Sequence, residues 1–227
     1  MVRYQTDFDI FLVDASNNIL AGSSYINATT QRPFEYFSYT NSTGSTQTVR
    51  LVINRYSGAT PRFKYILVGS FGLTSVEYNA ANSSDIFGPT VYGHAAANEA
   101  ISVAAVPFNN SNTPELFTSQ GFPTRYFDPV VGSTPATPLP PPEIRQKPDI
   151  AATDGNVNTF FGQFSGGVWR FYGTSAAAPH AAAVGALMKQ RATQLNRYLN
   201  QPITESILES TAATVVFGSL EANGAGL

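Results

Sequence analysis

The stretch that most constrains this chain is Gly173-Thr174-Ser175-Ala176-Ala177-Ala178-Pro179-His180-Ala181-Ala182-Ala183-Val184-Gly185. Its side chains are nearly all small, so other backbone can pack close on every side, and a buried helix is expected from about 174 to 197. Gly173 permits a sharp entry and a close backbone approach. Thr174 is placed to cap the helix through its hydroxyl, which leaves Ser175 in the first turn. The free N–H groups and positive dipole end of that turn favour negative charge beside it. Pro179 has no N–H, so Ser175 loses its usual role as a helical acceptor, at a cost that is smallest near a helix start. Taken alone, Thr and Ser ahead of an apolar helix are the ordinary signature of a capped core helix.

The whole stretch is more specific than its parts. It resembles the serine-nucleophile motif of the subtilisin-like serine peptidases, Gly-Thr-Ser-x-x-x-Pro followed by small residues, and each defining position matches. The resemblance implies that Ser175 is a nucleophile attacking a peptide carbonyl from the start of a buried central helix. A serine hydroxyl is a weak nucleophile at neutral pH unless an adjacent base takes its proton. Such a site also needs a group to orient the base and donors for the oxyanion. The family orders its triad Asp, His, Ser, with the Asp in an Asp-x-Gly context and the His before Gly.

The chain has two histidines, and neither matches that pattern. His180 lies five residues after Ser175 on the same helix, which at ~100° per residue points it about 140° away. The family carries a non-catalytic His at this place. His94 is followed by Ala95 and lies shortly before a strand, so it reads as a structural histidine hydrogen-bonded near the sheet. Asn98 is the nearest asparagine to the expected oxyanion position, and its context Gly-His-Ala-Ala-Ala does not match. By resemblance, the catalytic Asp, the His and the oxyanion Asn are expected upstream of Met1. The resemblance then spans about residues 90 to 213, the C-terminal half of a catalytic domain.

Two further segments carry the same resemblance. Ala100-Ile101-Ser102-Val103-Ala104-Ala105-Val106 is a continuous apolar run, as in a strand buried on both faces of a parallel sheet. Lys147-Pro148-Asp149-Ile150 matches the Lys-Pro-Asp-Ile segment ahead of the nucleophile, with Thr153 where proline is usual. Leu116 to Pro123 is similar to the family's Phe-Ser-Ser-x-Gly-Pro, from which Thr118 and Phe122 depart. Residues 129 to 148 hold Pro138, Pro140, Pro141 and Pro142, a rigid extended surface connection. Thr204 to Ala212 reads as an amphipathic helix with Ile203, Ile207 and Leu208 on one face.

Residues 1 to about 78 read as β-strands: 8–14, 19–23, 34–39, 48–56, 63–68 and 75–78, separated by turn signals such as Ser16-Asn17-Asn18. Val49, Leu51 and Ile53 share one face. The pattern suggests a sandwich. It resembles, loosely, the jelly-roll or sandwich domains attached to secreted bacterial peptidases. Asp7, Asp9 and Asp14 raise calcium, but a solvated sandwich edge accounts for them, since calcium needs six or more converging oxygens. Residues 79–98 are a polar loop.

The 227 residues suffice for one large domain or two modest ones. Charged residues make up 12%, against a usual ~25%, and the net charge of −2 gives no reason to expect nucleic acid or an anionic membrane. There is no cysteine, hence no disulfide or Cys-ligated metal. No run reaches the ~20 apolar residues of a membrane span, and the start lacks a signal core. Asn27-Ala28-Thr29, Asn41-Ser42-Thr43, Asn82-Ser83-Ser84 and Asn109-Asn110-Ser111 fit the N-glycosylation pattern, which bears only on a eukaryotic secreted protein.

The expected fold is therefore α/β, a partial subtilisin-like layered fold over 79–227 carrying Ser175, plus an all-β sandwich or jelly-roll-like domain over 1–78. The expected function is that of a fragment of a subtilisin-like endopeptidase, inactive alone. Its partners are the N-terminal half of its own catalytic domain and a polypeptide substrate, with no cofactor implied and calcium left open. Its expected location is extracellular or in the cell envelope. Two other readings stand beside it: a non-catalytic binding or scaffold protein keeping half of the fold, and a hydrolase using an unrelated base such as His94.

Overall fold

The computed structural model describes residues 5–61, 63–68, 73–75, 89–129, 131–132, 134, 136–216 and 218–227. The chain divides into two compact units, Met1–Tyr65 with Tyr126–Pro142, and Ile66–Arg125 with Glu143–Leu227.

In the first unit β1 (Asp7–Val13), β2 (Ile19–Ser23) and β3 (Arg50–Ser57) form one antiparallel sheet in the order β2-β1-β3. Asp14 builds the turn between β1 and β2: its carboxylate accepts the Ser16 and Asn18 amides and the Asn18 side chain, each at 2.8 Å. A one-turn helix, α1 (Asn27–Thr30), follows β2. Its first residue, Asn27, is a buried hub. The Asn27 amide donates to Asp7 at 3.0 Å, its Oδ1 accepts the Phe8 amide, and its Nδ2 donates to the Arg32 carbonyl and to Glu35 at 2.6 Å.

Among the described residues of 5–68 the strands form this single sheet, and a sandwich of two packed sheets is not shown there. Residues 34–39 and 63–68 are not strands, and 76–78 of the last expected strand lie outside the described residues. Leu51 is exposed and Ile53 half-buried, so the apolar face read from the alternation has no second layer over it among the described residues. Asp7 and Asp9 are not on a solvated edge. Both are buried, Asp7 holding the Asn27 amide and Asp9 accepting from Asn54 Nδ2 at 2.9 Å.

The second unit is built on two short parallel strands, β4 (Val103–Pro107) and, later, β7 (Ile150–Asp154), paired from Val103↔Ile150 to Pro107↔Asp154. Between β4 and β7 in sequence, β5 (Thr124–Phe127) pairs with β6 (Pro138–Ile144), mostly within the Tyr126–Pro142 part of the first unit, so the proline-rich segment is a strand as well as an extended connection. After β7 come β8 (Asn156–Asn158), β9 (Gln163–Ser165) and β10 (Val168–Phe171), a small antiparallel sheet with β10 in the middle. The helices are α2 (Thr174–Gln194), α3 (Gln201–Thr211) and α4 (Leu220–Asn223).

The apolar runs of β4 and β7 are continuous because each face of the pair is covered. Ala105, Ile150 and Ala152 pack on Ala177 and Ala181 of α2, with Leu208 of α3 alongside. Ala104, Val106 and Ala151 pack on Val215 from the other side. The α2 helix is covered on that one face only. Ala176, Ala177 and Ala181 are buried, whereas Ala178, Ala182, Ala183 and Ala186 are exposed and Leu187 is 65% exposed. The expected all-round burial fails because the described sheet offers α2 two strands and no more.

Candidate active site

Gly173, not Thr174, is the N-cap of α2. Its backbone, at φ 112° and ψ 164°, lies where side chains are strained, and no side chain caps the helix. The Gly173 carbonyl accepts the Ala176 and Ala177 amides at 2.8 and 3.1 Å. Thr174 is the first helical residue and Ser175 the second. Ser175 is exposed, and its hydroxyl makes no hydrogen bond to a described residue. The backbone N–H groups of Thr174 and Ser175 likewise have no acceptor among the described residues. The site thus offers a hydroxyl and free amide donors at the positive end of a 21-residue helix.

Neither histidine is joined to Ser175. His180 Nδ1 lies 3.1 Å from the Thr153 carbonyl, and Asn156 Nδ2 lies 3.1 Å from its ring nitrogens, so this side chain ties α2 to the end of β7. His94 stands exposed in a 3₁₀ turn, Gly93–Ala96, and its ring has no partner among the described residues. It is not the sheet-bonded histidine expected from its sequence context, because the turn carries it outward before β4 begins. The Asn98 carbonyl accepts from Lys147 Nζ at 3.4 Å.

The start of β7, at the end of the strand away from Gly173, is fixed by charge. Lys147 and Asp149 are a buried ion pair, 3% and 2% exposed at their side chains, with Nζ 2.8 and 2.9 Å from the two oxygens. Lys147 also donates to the Ala100 carbonyl at 2.6 Å, and Asp149 accepts the Ser102 amide at 2.6 Å. Glu205 of α3 joins the pair, 3.8 Å from Nζ. Burial and the Asp149 charge hold the Glu205 carboxyl above its usual range. Asp149, Glu205 and Glu209 are close enough to share an ion, but Lys147 already supplies the positive charge there.

At the other end of β7, Asp154 is completely buried, and its Oδ2 accepts the Gly173 amide at 2.7 Å. Glu115, from the turn after β4, faces it. Burial, the Asp154 charge and a hydrogen bond between the two carboxyls push Glu115 upward. Sequence reasoning passed over Asp154 and Glu115, since an Asp before a Gly is an ordinary turn signal.

No helix among the described residues is long and apolar enough to cross a membrane. No curated protein and no solved structure matches the chain. The sequence profile of the subtilase family does, over residues 38–226, a range that holds β3, β4, β7 and the whole of α2. With most of its length matched, and with Gly173-Thr174-Ser175 at the mouth of a helix packed on a parallel strand pair, the chain belongs to the subtilase family of serine peptidases.

Proposed function

We propose that Ser175 is the nucleophile of a peptide-bond hydrolase that works through an acyl-enzyme. The observation carrying this reading is the exposed Ser175 at the second position of α2, with its own N–H free, in a chain of the subtilase family. Attack by Oγ on a carbonyl would place the developing oxyanion at the helix mouth, where the Ser175 N–H is a donor. The proton leaving Oγ needs a base. His180 is turned to β7 and His94 stands in a separate turn, so the base, its orienting Asp and the oxyanion Asn come from the N-terminal half of the same catalytic domain. The uncovered side of α2 supports this: Ala178, Ala182 and Ala186 present small side chains that let another element approach closely, beside exposed Val184 and Leu187. Residues 1–78 are then an accessory β domain inserted between that N-terminal half and the catalytic part at 79–227. Subtilases are often secreted, which favours an extracellular or cell-envelope setting.

The test is labelling by a fluorophosphonate, with cleavage of an unfolded protein in parallel. The expected result is no labelling of this chain alone, labelling once the half-domain bearing the Asp and His is added, and loss of it in Ser175→Ala. Labelling of the chain alone would put the base within these residues and point to His94. No labelling under either condition would leave a binding or scaffold protein.

A further inference from the structure

Helices that begin as α2 does are ordinarily fixed by a side chain. An N-cap Ser, Thr, Asp or Asn accepts the N–H of the second or third helical residue. In α2 those residues are Ser175 and Ala176. A cap side chain at position 173 would therefore compete for the Ser175 N–H, the donor that an oxyanion requires. Gly173 removes that competition but also removes the anchor, and glycine is the residue with the most backbone freedom to lose.

The anchor comes instead from the end of β7. Asp154 Oδ2 accepts the Gly173 N–H at 2.7 Å, while the Gly173 carbonyl is held by the Ala176 and Ala177 amides. Both peptide groups of the cap residue are thus engaged, and the Ser175 N–H is left free. The carboxylate holding them is 0% exposed, and the Glu115 carboxyl faces it. The surroundings brace the same junction. The Gly155 amide donates to the Phe171 carbonyl at 2.9 Å, and Arg170 Nη1 donates to the Gly155 carbonyl at 2.7 Å while its guanidinium lies over the Phe108 ring.

We propose that Asp154 is a positioning residue for the nucleophile: it caps α2 from the neighbouring strand, through the Gly173 amide, and so fixes Ser175 while keeping the Ser175 N–H available to the oxyanion. The inference rests on Ser175 being the nucleophile, and its test has one arm that does not. In the isolated chain, amide hydrogen exchange is followed residue by residue. Asp154→Ala is expected to speed exchange at Gly173 at least tenfold and leave Ala104 and Ala152 unchanged, while Asp154→Asn, which keeps an acceptor, retains most of the protection. In the complete peptidase, Asp154→Ala is expected to lower kcat roughly 10- to 100-fold with KM within a factor of two, as a slightly misplaced nucleophile does. Asp154→Asn should restore most of kcat. Unchanged Gly173 exchange in Asp154→Ala overturns the proposal. So does a loss of protection spread equally over β4 and β7, or an Asn variant as impaired as the Ala one. If Asp154→Ala does not fold, the Asn variant decides alone: near-normal Gly173 protection and kcat support the proposal, and loss of either overturns it. If Ser175→Ala retains full activity, the nucleophile assignment fails, and the Gly173 exchange still decides whether Asp154 holds the turn.

Discussion

Replacing Lys147 by Met tests how much of the second unit depends on one buried charge. The side chains of Lys147 and Asp149 are 3% and 2% exposed, and Nζ sits 2.8 and 2.9 Å from the two Asp149 oxygens. Met keeps the length and apolar volume but leaves Asp149 with the Ser102 amide as its remaining side-chain donor, and strips the Ala100 carbonyl of its bond. Breaking a buried pair from one side costs about 3–5 kcal/mol, because the other charge stays in a dry site. Glu205 loses the same counter-charge, which adds to the cost. Asp149→Asn should cost a comparable amount by stranding Lys147. The double variant removes both charges, so its cost should fall short of the sum of the two by about 2–3 kcal/mol. Urea unfolding read by far-UV circular dichroism and by the single Trp, Trp169, measures all three variants at pH 7. A cost below about 1 kcal/mol for Lys147→Met, or simple additivity, would refute the idea that this pair locks the start of β7 to the start of β4.

Four other outcomes are expected. The Glu115 carboxyl is held above its ordinary 4.5 by burial first and by Asp154 second. Its contribution to stability is therefore complete below about 4.5 and is lost as pH rises through the raised value; a pH series of unfolding free energies should show this decline, and Glu115→Gln should flatten it. Thr118→Val removes the hydroxyl that accepts the Ala105 amide at 2.9 Å and donates to its carbonyl at 3.1 Å, and should cost about 1–3 kcal/mol in urea unfolding. Gly173→Ala forces a side chain into a φ of 112° and should cost about 1–3 kcal/mol, read as a fall in melting temperature. Asn27→Ala should destabilise the first unit by about 2–4 kcal/mol through its lost buried bonds, seen as faster proteolysis within residues 5–61 while Trp169 fluorescence is unchanged.

What the sequence made legible follows from how each segment is covered. The apolar run at 100–106 read as a buried strand because both faces of β4 are packed, which turns burial into an unbroken apolar string; the same burial at 150–152 was passed over behind the Lys-Pro-Asp-Ile motif. The helix beginning at Thr174 was legible because Gly173 and the small residues after it each answer a backbone demand. The strands β8, β9 and β10 left no trace, being three or four residues long with Gly162, Gly166 and Gly167 among them, too short for alternation to register. Alternation misled at 34–39 and 63–68: Phe34 and Tyr36 alternate with polar neighbours but stand exposed, paired with no strand among the described residues. Thr174 does not cap the helix; the side chain that bonds its start is Asp154, nineteen positions before the Gly173 amide it accepts, a long-range bond that no local pattern encodes.

The buried Asn27 has a consequence for making this protein. Asn27-Ala28-Thr29 is an acceptor sequence for glycan transfer, and that reaction acts on chains still emerging and unfolded. In the folded unit the Asn27 Nδ2 is committed to the Arg32 carbonyl and Glu35, with no room for a sugar. In a eukaryotic secretory host, modification and folding would therefore race for the same nitrogen, and each glycosylated chain would be barred from the native state. Bacterial production avoids the race. In a eukaryotic host the repair is at Thr29, whose exposed side chain makes no hydrogen bond to a described residue, so Thr29→Ala erases the acceptor sequence and leaves the Asn27 hub intact.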